Sequence, residues 1–150
     1  MTSKKTYEVG DEIIGPVRGI TPQRVEWYDS AMLSAVVGEL RQVGSNIHTD
    51  PDFAKSEGFT DVNADGMIST NWCSEMLVHT FGMDYLERGE LRTKFIKPVL
   101  MDVLLHVKAR VLEVRKQNNG NTLYSLAVWC EDERGLKLVD GDAKVEVAAA

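Results

Sequence analysis

The sequence predicts an α+β domain in which helices come first and an antiparallel sheet follows. From Leu91 onward, the hydrophobic pattern changes from a helical period to strict alternation. One helical segment, at about residues 66–79, has few charged residues and is therefore predicted to be buried. A run of antiparallel strands can bury such a helix, so we expect the sheet to pack around it.

The length and charge of the chain narrow the classes of function. Its 150 residues fit one domain, with residues 1–6 as a flexible polar arm. A hydrophobic content of 43% and a charged content of 27% are ordinary for a soluble globular protein. The net charge of -6 and the scattered lysines and arginines argue against nucleic acid or a membrane surface as partner.

The two cysteines, Cys73 and Cys130, form no CxxC pair, and the three histidines show no zinc-like spacing. No metal or other cofactor is therefore predicted. Both thiols fall in apolar patterns, so we expect them to be buried, which favours a reducing, cytoplasmic location. No apolar stretch of the kind found in a signal peptide follows the polar N-terminus.

The first half of the chain contains three predicted helices. A short strand is predicted before them at residues 7–11, and Gly15-Pro16 is expected to interrupt regular structure. Thr21-Pro22 begins the first helix, which is expected to end near Val43-Gly44. Its apolar face repeats at three- and four-residue steps, at Val25, Tyr28, Met32, Val36 and Leu40.

The second helix is short, with Asp50 as its N-cap and Gly58 after its end. The third is the apolar helix at residues 66–79, with Gly82 beyond it. His79 in its last turn is expected to face solvent.

The second half is predicted to be a meander of strands. Pro98 limits the first strand, which starts at Leu91. The next strand has one buried face, formed by Val103, Leu105, Val107, Ala109 and Val111, whereas His106 falls on the polar face. A hairpin turn at residues 118–120 and a turn at residues 131–135 separate two further strands, at residues 122–130 and 136–147.

The candidate for chemistry is the stretch Asn46-Ile47-His48-Thr49-Asp50-Pro51, together with Asp65-Gly66-Met67. A histidine can exchange a proton near neutral pH, and a helix N-terminus offers unpaired N–H groups to a developing negative oxygen. This combination indicates proton chemistry beside a polarised carbonyl. Alternatively, His48 is a loop histidine that only hydrogen-bonds to the backbone.

The same residues resemble those of the MaoC-like dehydratase and (R)-specific enoyl-CoA hydratase family. The resemblance covers about residues 7–147 and rests on Asn46-Ile47-His48-x-Asp50, Ala54, Gly58, Ala64-Asp65-Gly66-Met67 and Lys94-Phe95-Ile96-Lys97-Pro98-Val99. It implies a single hotdog domain, in which a sheet wraps around a central helix and two protomers pair as a homodimer or a higher oligomer. It also implies a hydro-lyase that acts on acyl thioesters of coenzyme A or acyl carrier protein.

The family's catalytic pattern, Asp-x-Asn-Pro-x-His, is only partly present. His48 and Asn46 match, but Gly44-Ser45 stands where the aspartate is expected. Asp65 stands where the family often has a histidine, and it is either a substitute catalytic carboxylate or only a helix cap. Ser45 is a weaker candidate that would orient a water molecule.

The resemblance also suggests how substrate would bind. Asn46 and Met67 would contact the substrate, and the Gly66 N–H would polarise the thioester carbonyl. Trp72 would help to line an apolar tunnel, as would Trp27, Met76 and Met83, although all of these are also plausible core residues. Because the aspartate is missing, two alternatives remain open: a hotdog thioesterase in which Asp65 activates water, and a non-catalytic protein that binds acyl thioesters.

Overall fold

The computed structural model describes residues 6–39 and 44–149, with the backbone alone for residues 32–37. The described elements, in chain order, are β1 (Glu12–Gly19), α1 (Pro22–Val37), α2 (Pro51–Ser56), α3 (Gly66–Phe81), α4 (Met83–Arg88), β2 (Gly89–Phe95), β3 (Leu104–Lys116), β4 (Thr122–Glu131) and β5 (Lys137–Val147).

The five strands form one antiparallel sheet in the order β1-β3-β4-β5-β2. Helix α3 lies against this sheet, and its inward face is almost completely buried at Ile68, Cys73, Met76 and Leu77. The sheet supplies the other half of the core through the inward side chains of β3, β4 and β5. The predicted α+β architecture, with a sheet around a central apolar helix, is confirmed.

The sulfur atoms of Cys73 in α3 and Cys130 in β4 lie 3.6 Å apart between these two layers. Both side chains are fully buried, as the sequence predicted, and both thiols are free. The hydrogen bond with the Cys73 thiol, together with burial, raises the pKa of Cys130, which keeps it protonated and poorly nucleophilic. This pair therefore contributes to packing between helix and sheet.

The start of the chain differs from the prediction. Residues 7–11 form no strand; β1 begins at Glu12 and continues through Gly15-Pro16, where a break was expected. Proline is tolerated here because β1 is an edge strand and its register with β3 shifts between Ile14 and Val17.

The end of the first helix was also predicted wrongly. Helix α1 ends at Val37, and Gly38 follows with a φ of +74°, a left-handed conformation that favours glycine. Leu40 of the predicted apolar face lies outside the described residues, as does Val43 at the predicted helix end. Helix α4 was not predicted; it follows directly from Gly82, whose φ of +59° turns the chain between α3 and α4.

The remaining strand predictions are close to the structure. The predicted buried face of β3 is confirmed at Leu105, Val107, Ala109 and Val111. The turn between β3 and β4 contains Gly120 with a φ of +84°, which fits the predicted hairpin. His79 is exposed at the end of α3, as expected, and His106 is half-buried on the opposite face of β3 from that core.

Candidate active site

A tight turn before α2 holds His48. The side-chain oxygen of Asn46 accepts hydrogen bonds from the backbone N–H groups of His48 and Thr49, at 2.7 and 3.0 Å. The Thr49 hydroxyl donates to the same oxygen at 3.2 Å. An asparagine whose side chain accepts hydrogen bonds from backbone groups two and three residues ahead stabilises a turn. Asn46 therefore fixes the backbone position from which the His48 imidazole extends.

The imidazole of His48 has a defined orientation. Its Nδ1 lies 2.7 Å from the backbone carbonyl oxygen of Asn63. A carbonyl can only accept, so Nδ1 bears the hydrogen, and Nε2 of the neutral ring has a free lone pair. Asn63 is itself fixed, since its backbone N–H donates to the carbonyl of Ile47 at 3.1 Å. His48 is thus prepared to act as a base through Nε2.

A cavity of about 270 Å³ opens beside the imidazole. One wall is helix α1, through Pro22 and Glu26, and the remainder consists of His48, Thr49, Val62 and Met101. The cavity is large enough for several water molecules or for the reacting end of a small acyl group.

The N-terminus of α3 follows shortly after Asn63. The Asp65 carboxylate accepts from the Met67 N–H at 2.7 Å, and the Asp65 carbonyl accepts from the Ile68 N–H at 3.1 Å. Asp65 is therefore the cap of this helix, whatever else it does. Among the described residues, none accepts a hydrogen bond from the Gly66 N–H, so this group is free to bind an oxyanion.

Gly66 also permits a close approach of Phe95. A Cβ at position 66 would lie 2.7 Å from three carbons of the Phe95 ring, which is half-exposed. Both residues line a second cavity of about 280 Å³, distinct from the one that contains His48. His48 thus lines the first cavity, and Gly66, at the start of α3, lines the second. Met67, next along the helix, is 44% exposed.

Asp50 caps α2, and Ser45 lies beside it. The Asp50 carboxylate accepts from the N–H groups of Asp52 and Phe53 at 3.0 and 3.1 Å. The Phe53 N–H and the Ser45 hydroxyl hold the pKa of Asp50 below its usual range. Asp50 is thus the predicted cap of α2, and Ser45 interacts with this cap.

Trp72 lines a third cavity, of about 500 Å³, between α1 and α3, and Trp27 lies on the same cavity. The guanidinium of Arg24 lies 5.6 Å from the centre of the Trp72 ring, within cation–π range. Asn71 donates to the Tyr28 hydroxyl at 2.9 Å. Burial raises the pKa of Tyr28, and the charge of Asp65 raises it further, so this cavity adjoins the start of α3. Met76 is core, and Met83 is exposed.

Asp29 in α1 is a residue that the sequence analysis missed. Both of its carboxylate oxygens are screened from solvent, and within the described part of the chain neither has a hydrogen-bond partner. Burial raises its pKa; a charged His48 lowers it, and Asp65 raises it. Asp29 follows Val25, a fully buried residue, by one helical turn. A carboxylate beside the apolar face of an amphipathic helix was the signal that would have revealed it.

The described residues contain no group of three or more His, Cys, Asp or Glu side chains placed to hold a metal ion. None of the described helices combines the length and the apolarity that crossing a membrane demands.

Comparison with known proteins identifies the family. Residues 45–133 match the sequence model of the MaoC-like domain, which is more than half of the chain, so this protein belongs to the MaoC-like family. No curated protein sequence matches the chain.

Solved structures agree on the fold. A MaoC-like dehydratase from Rhodospirillum rubrum is 18% identical, with a TM-score of 0.72 and coverage of 96% of this chain and 94% of that one. The (R)-hydratase from A. caviae involved in PHA biosynthesis is 19% identical, with a TM-score of 0.69 and coverage of 96% and 99%. The 3R-hydroxyacyl-ACP dehydratase complex HadBC from Mycobacterium tuberculosis is 14% identical, with a TM-score of 0.66 and coverage of 95% and 98%. The predicted hotdog fold is confirmed.

Proposed function

We propose that this protein is a hydro-lyase that adds water across the 2,3-double bond of an enoyl thioester, or removes it from the 3-hydroxyacyl thioester. The observation that supports this most directly is the His48 imidazole, whose Nδ1–H is held by the Asn63 carbonyl while the ring lines a cavity. Membership of a family whose solved relatives include a hydratase and dehydratases points the same way.

The chemistry needs a base, an acid and an oxyanion donor. In hydration, Nε2 of His48 takes a proton from water while the water oxygen forms a bond to carbon 3. The electrons of the double bond move towards the thioester oxygen, where the Gly66 N–H stabilises the negative charge. An acid then gives a proton to carbon 2, so that one molecule of water has been added. The sequence suggests Asp65 for the second acid–base group, and the structure adds Asp29 as a candidate.

Other predicted residues would contribute to substrate binding. The amide nitrogen of Asn46 has no hydrogen bond to the described residues and would be a donor for substrate. Met67 and Trp72 would contact the thioester and its acyl chain, since both lie on the first turns of α3. The thioester would belong to coenzyme A or to acyl carrier protein, and a homodimer would place the cavities of two chains in one assembly.

The direct test uses a short 2-enoyl-CoA as the probe. Loss of the enoyl absorbance with the thiol still esterified is the expected result. His48→Ala should reduce turnover by about 10²–10⁴-fold, the usual contribution of a positioned acid or base. Its lost bond leaves the carbonyl of the buried Asn63 without this partner, which should cost about 1–3 kcal/mol. This is less than the total stability of a typical domain, so the variant should remain folded.

Three other results would change the assignment. Release of free thiol by the wild-type protein would indicate a thioesterase, with Asp65 as the group that activates water. Tight binding of the enoyl thioester without turnover would instead indicate a non-catalytic binding protein. Wild-type turnover in His48→Ala would remove the imidazole from the mechanism.

A further inference from the structure

Asp29 presents a carboxylate whose position is energetically unfavourable. Both oxygens are hidden from water, and neither is hydrogen-bonded to any of the described residues. A buried carboxylate that lacks partners costs stability, and natural proteins rarely keep one without a functional reason. The pairings that α1 does make, such as the bond from Arg24 to the Gly19 carbonyl, do not involve Asp29.

The helix geometry places Asp29 on the same side of α1 as two residues that line the His48 cavity, although Asp29 is not itself part of that lining. Pro22 and Glu26 in α1 line that cavity, and they are separated by four residues, about one helical turn. Asp29 is three residues beyond Glu26 and therefore lies on the same side of the helix. The charges of His48 and Asp65 both act on the pKa of the Asp29 carboxyl, His48 lowering it and Asp65 raising it.

We propose that Asp29 is the second catalytic residue of the site and supplies from α1 the carboxyl that is absent at Gly44-Ser45. The proposal rests on the hydratase function proposed above. It means that the acid–base pair of this chain is assembled from two elements, the helix α1 and the turn before α2.

The two groups would divide the proton transfers between them. Nε2 of the neutral His48 ring is the free base, so it takes the proton of water as the oxygen adds to carbon 3. Protonated Asp29 then gives its proton to carbon 2, and the electron pair returns from the thioester oxygen. These steps leave His48 as an imidazolium and Asp29 as a carboxylate. Transfer of the proton from His48 to Asp29 then returns both groups to their starting states. Burial favours the protonated form of Asp29 because it raises the pKa of this carboxyl.

The other nearby carboxylates are already engaged. Asp65 uses one oxygen to cap α3 at the Met67 N–H. Asp50 caps α2 and has a lowered pKa, which makes it a poorer proton donor. Asp29, by contrast, has a raised pKa and makes no hydrogen bond to the described residues.

The first test compares Asp29→Asn with Asp142→Asn, which removes an exposed carboxylate from β5. Asp29→Asn should lower kcat/KM for a 2-enoyl-CoA by at least about 10²-fold, and the pH profile should lose one of its two ionisations. The groups that face this carboxyl are His48, Asp65 and Tyr28, with Glu26 one turn away on the same helix. The melting temperature should not fall, since the substitution removes a carboxyl whose burial without hydrogen bonds to the described residues is unfavourable. Asp142→Asn should behave as wild type.

The second test does not depend on activity. The carboxyl carbon of Asp29 is titrated by ¹³C NMR in the wild-type protein and in His48→Gln. Loss of the positive imidazolium should raise the pKa of Asp29 further, because that charge favours the carboxylate.

The outcomes separate the two proposals. Wild-type hydration that survives in Asp29→Asn overturns the role of Asp29 and leaves the hydratase function standing. An Asp29 titration that is the same with and without His48 overturns the pairing. Absence of hydration in the wild-type protein contradicts the hydratase function itself, and with it a catalytic role for Asp29.

Discussion

Replacing Asn46 by alanine should destabilise the turn that positions His48. The substitution removes one oxygen that accepts three hydrogen bonds, two of them from the backbone N–H groups of His48 and Thr49. Loss of a side-chain acceptor at the analogous helix N-cap costs about 0.5–2 kcal/mol. At about 2–4 °C per kcal/mol for a chain of this size, the melting temperature should fall by about 1–8 °C. Calorimetry measures this directly.

The activity of the same variant should fall more than its stability. A shift of about 1 Å in a catalytic group can cost about 10²-fold in rate, and the turn held by Asn46 sets the position of His48. Turnover of a 2-enoyl-CoA by Asn46→Ala, measured well below the melting temperature, should therefore be reduced by roughly that factor.

Asn46→Asp is the matched control, since aspartate keeps the acceptor oxygen while it replaces the amide donor with a second acceptor oxygen and adds a negative charge. It should restore the melting temperature to near the wild-type value. A raised KM in this variant would show that the Asn46 amide binds substrate. If Asn46→Ala were as stable as wild type, or Asn46→Asp were destabilised equally, the account of this turn would be wrong.

Three further predictions follow from the site and the sheet. Asp65→Asn should keep the melting temperature within a few degrees because asparagine caps a helix as well as aspartate, and it should keep most of the wild-type turnover because Asp29 supplies the proton. A loss of at least about tenfold in turnover would instead make Asp65 the acid–base group and contradict the role of Asp29. The folded protein holds the proton of the Asp29 carboxyl more tightly than the unfolded chain does, because burial raises the pKa of this group. As the pH rises from about 3.9 through the raised pKa of the folded protein, wild type should therefore lose stability relative to Asp29→Asn. Equal changes of melting temperature with pH in the two proteins would contradict the burial of Asp29. The edges of the sheet are β1 and β2, so light scattering should report a dimer or larger, and a monomeric mass would refute this.

The sequence by itself determined the elements that depend on neighbouring residues. Asp50-Pro51 and Asp65 cap helices through bonds within three residues, and the turn at Gly120 needs one residue with positive φ. The apolar face of α3 and the alternation along β3 arise in the same way, from the fixed periods of helix and strand. Such local signals are readable because the free energy that they contribute does not depend on distant parts of the chain.

Other features were decided only by the tertiary structure. Pro16 sits inside a strand because β1 is at the edge of the sheet, which no local pattern reveals. In the sequence, Asp29 looks like an ordinary polar residue of a helix. Its role depends on the packing of α1 beside the turn that holds His48. Its carboxyl then loses water without gaining a hydrogen bond from the described residues, and it comes under the influence of His48 and Asp65. Desolvation and electrostatic interaction depend on distances in space, so the chemistry of this carboxyl emerges only when the chain is folded.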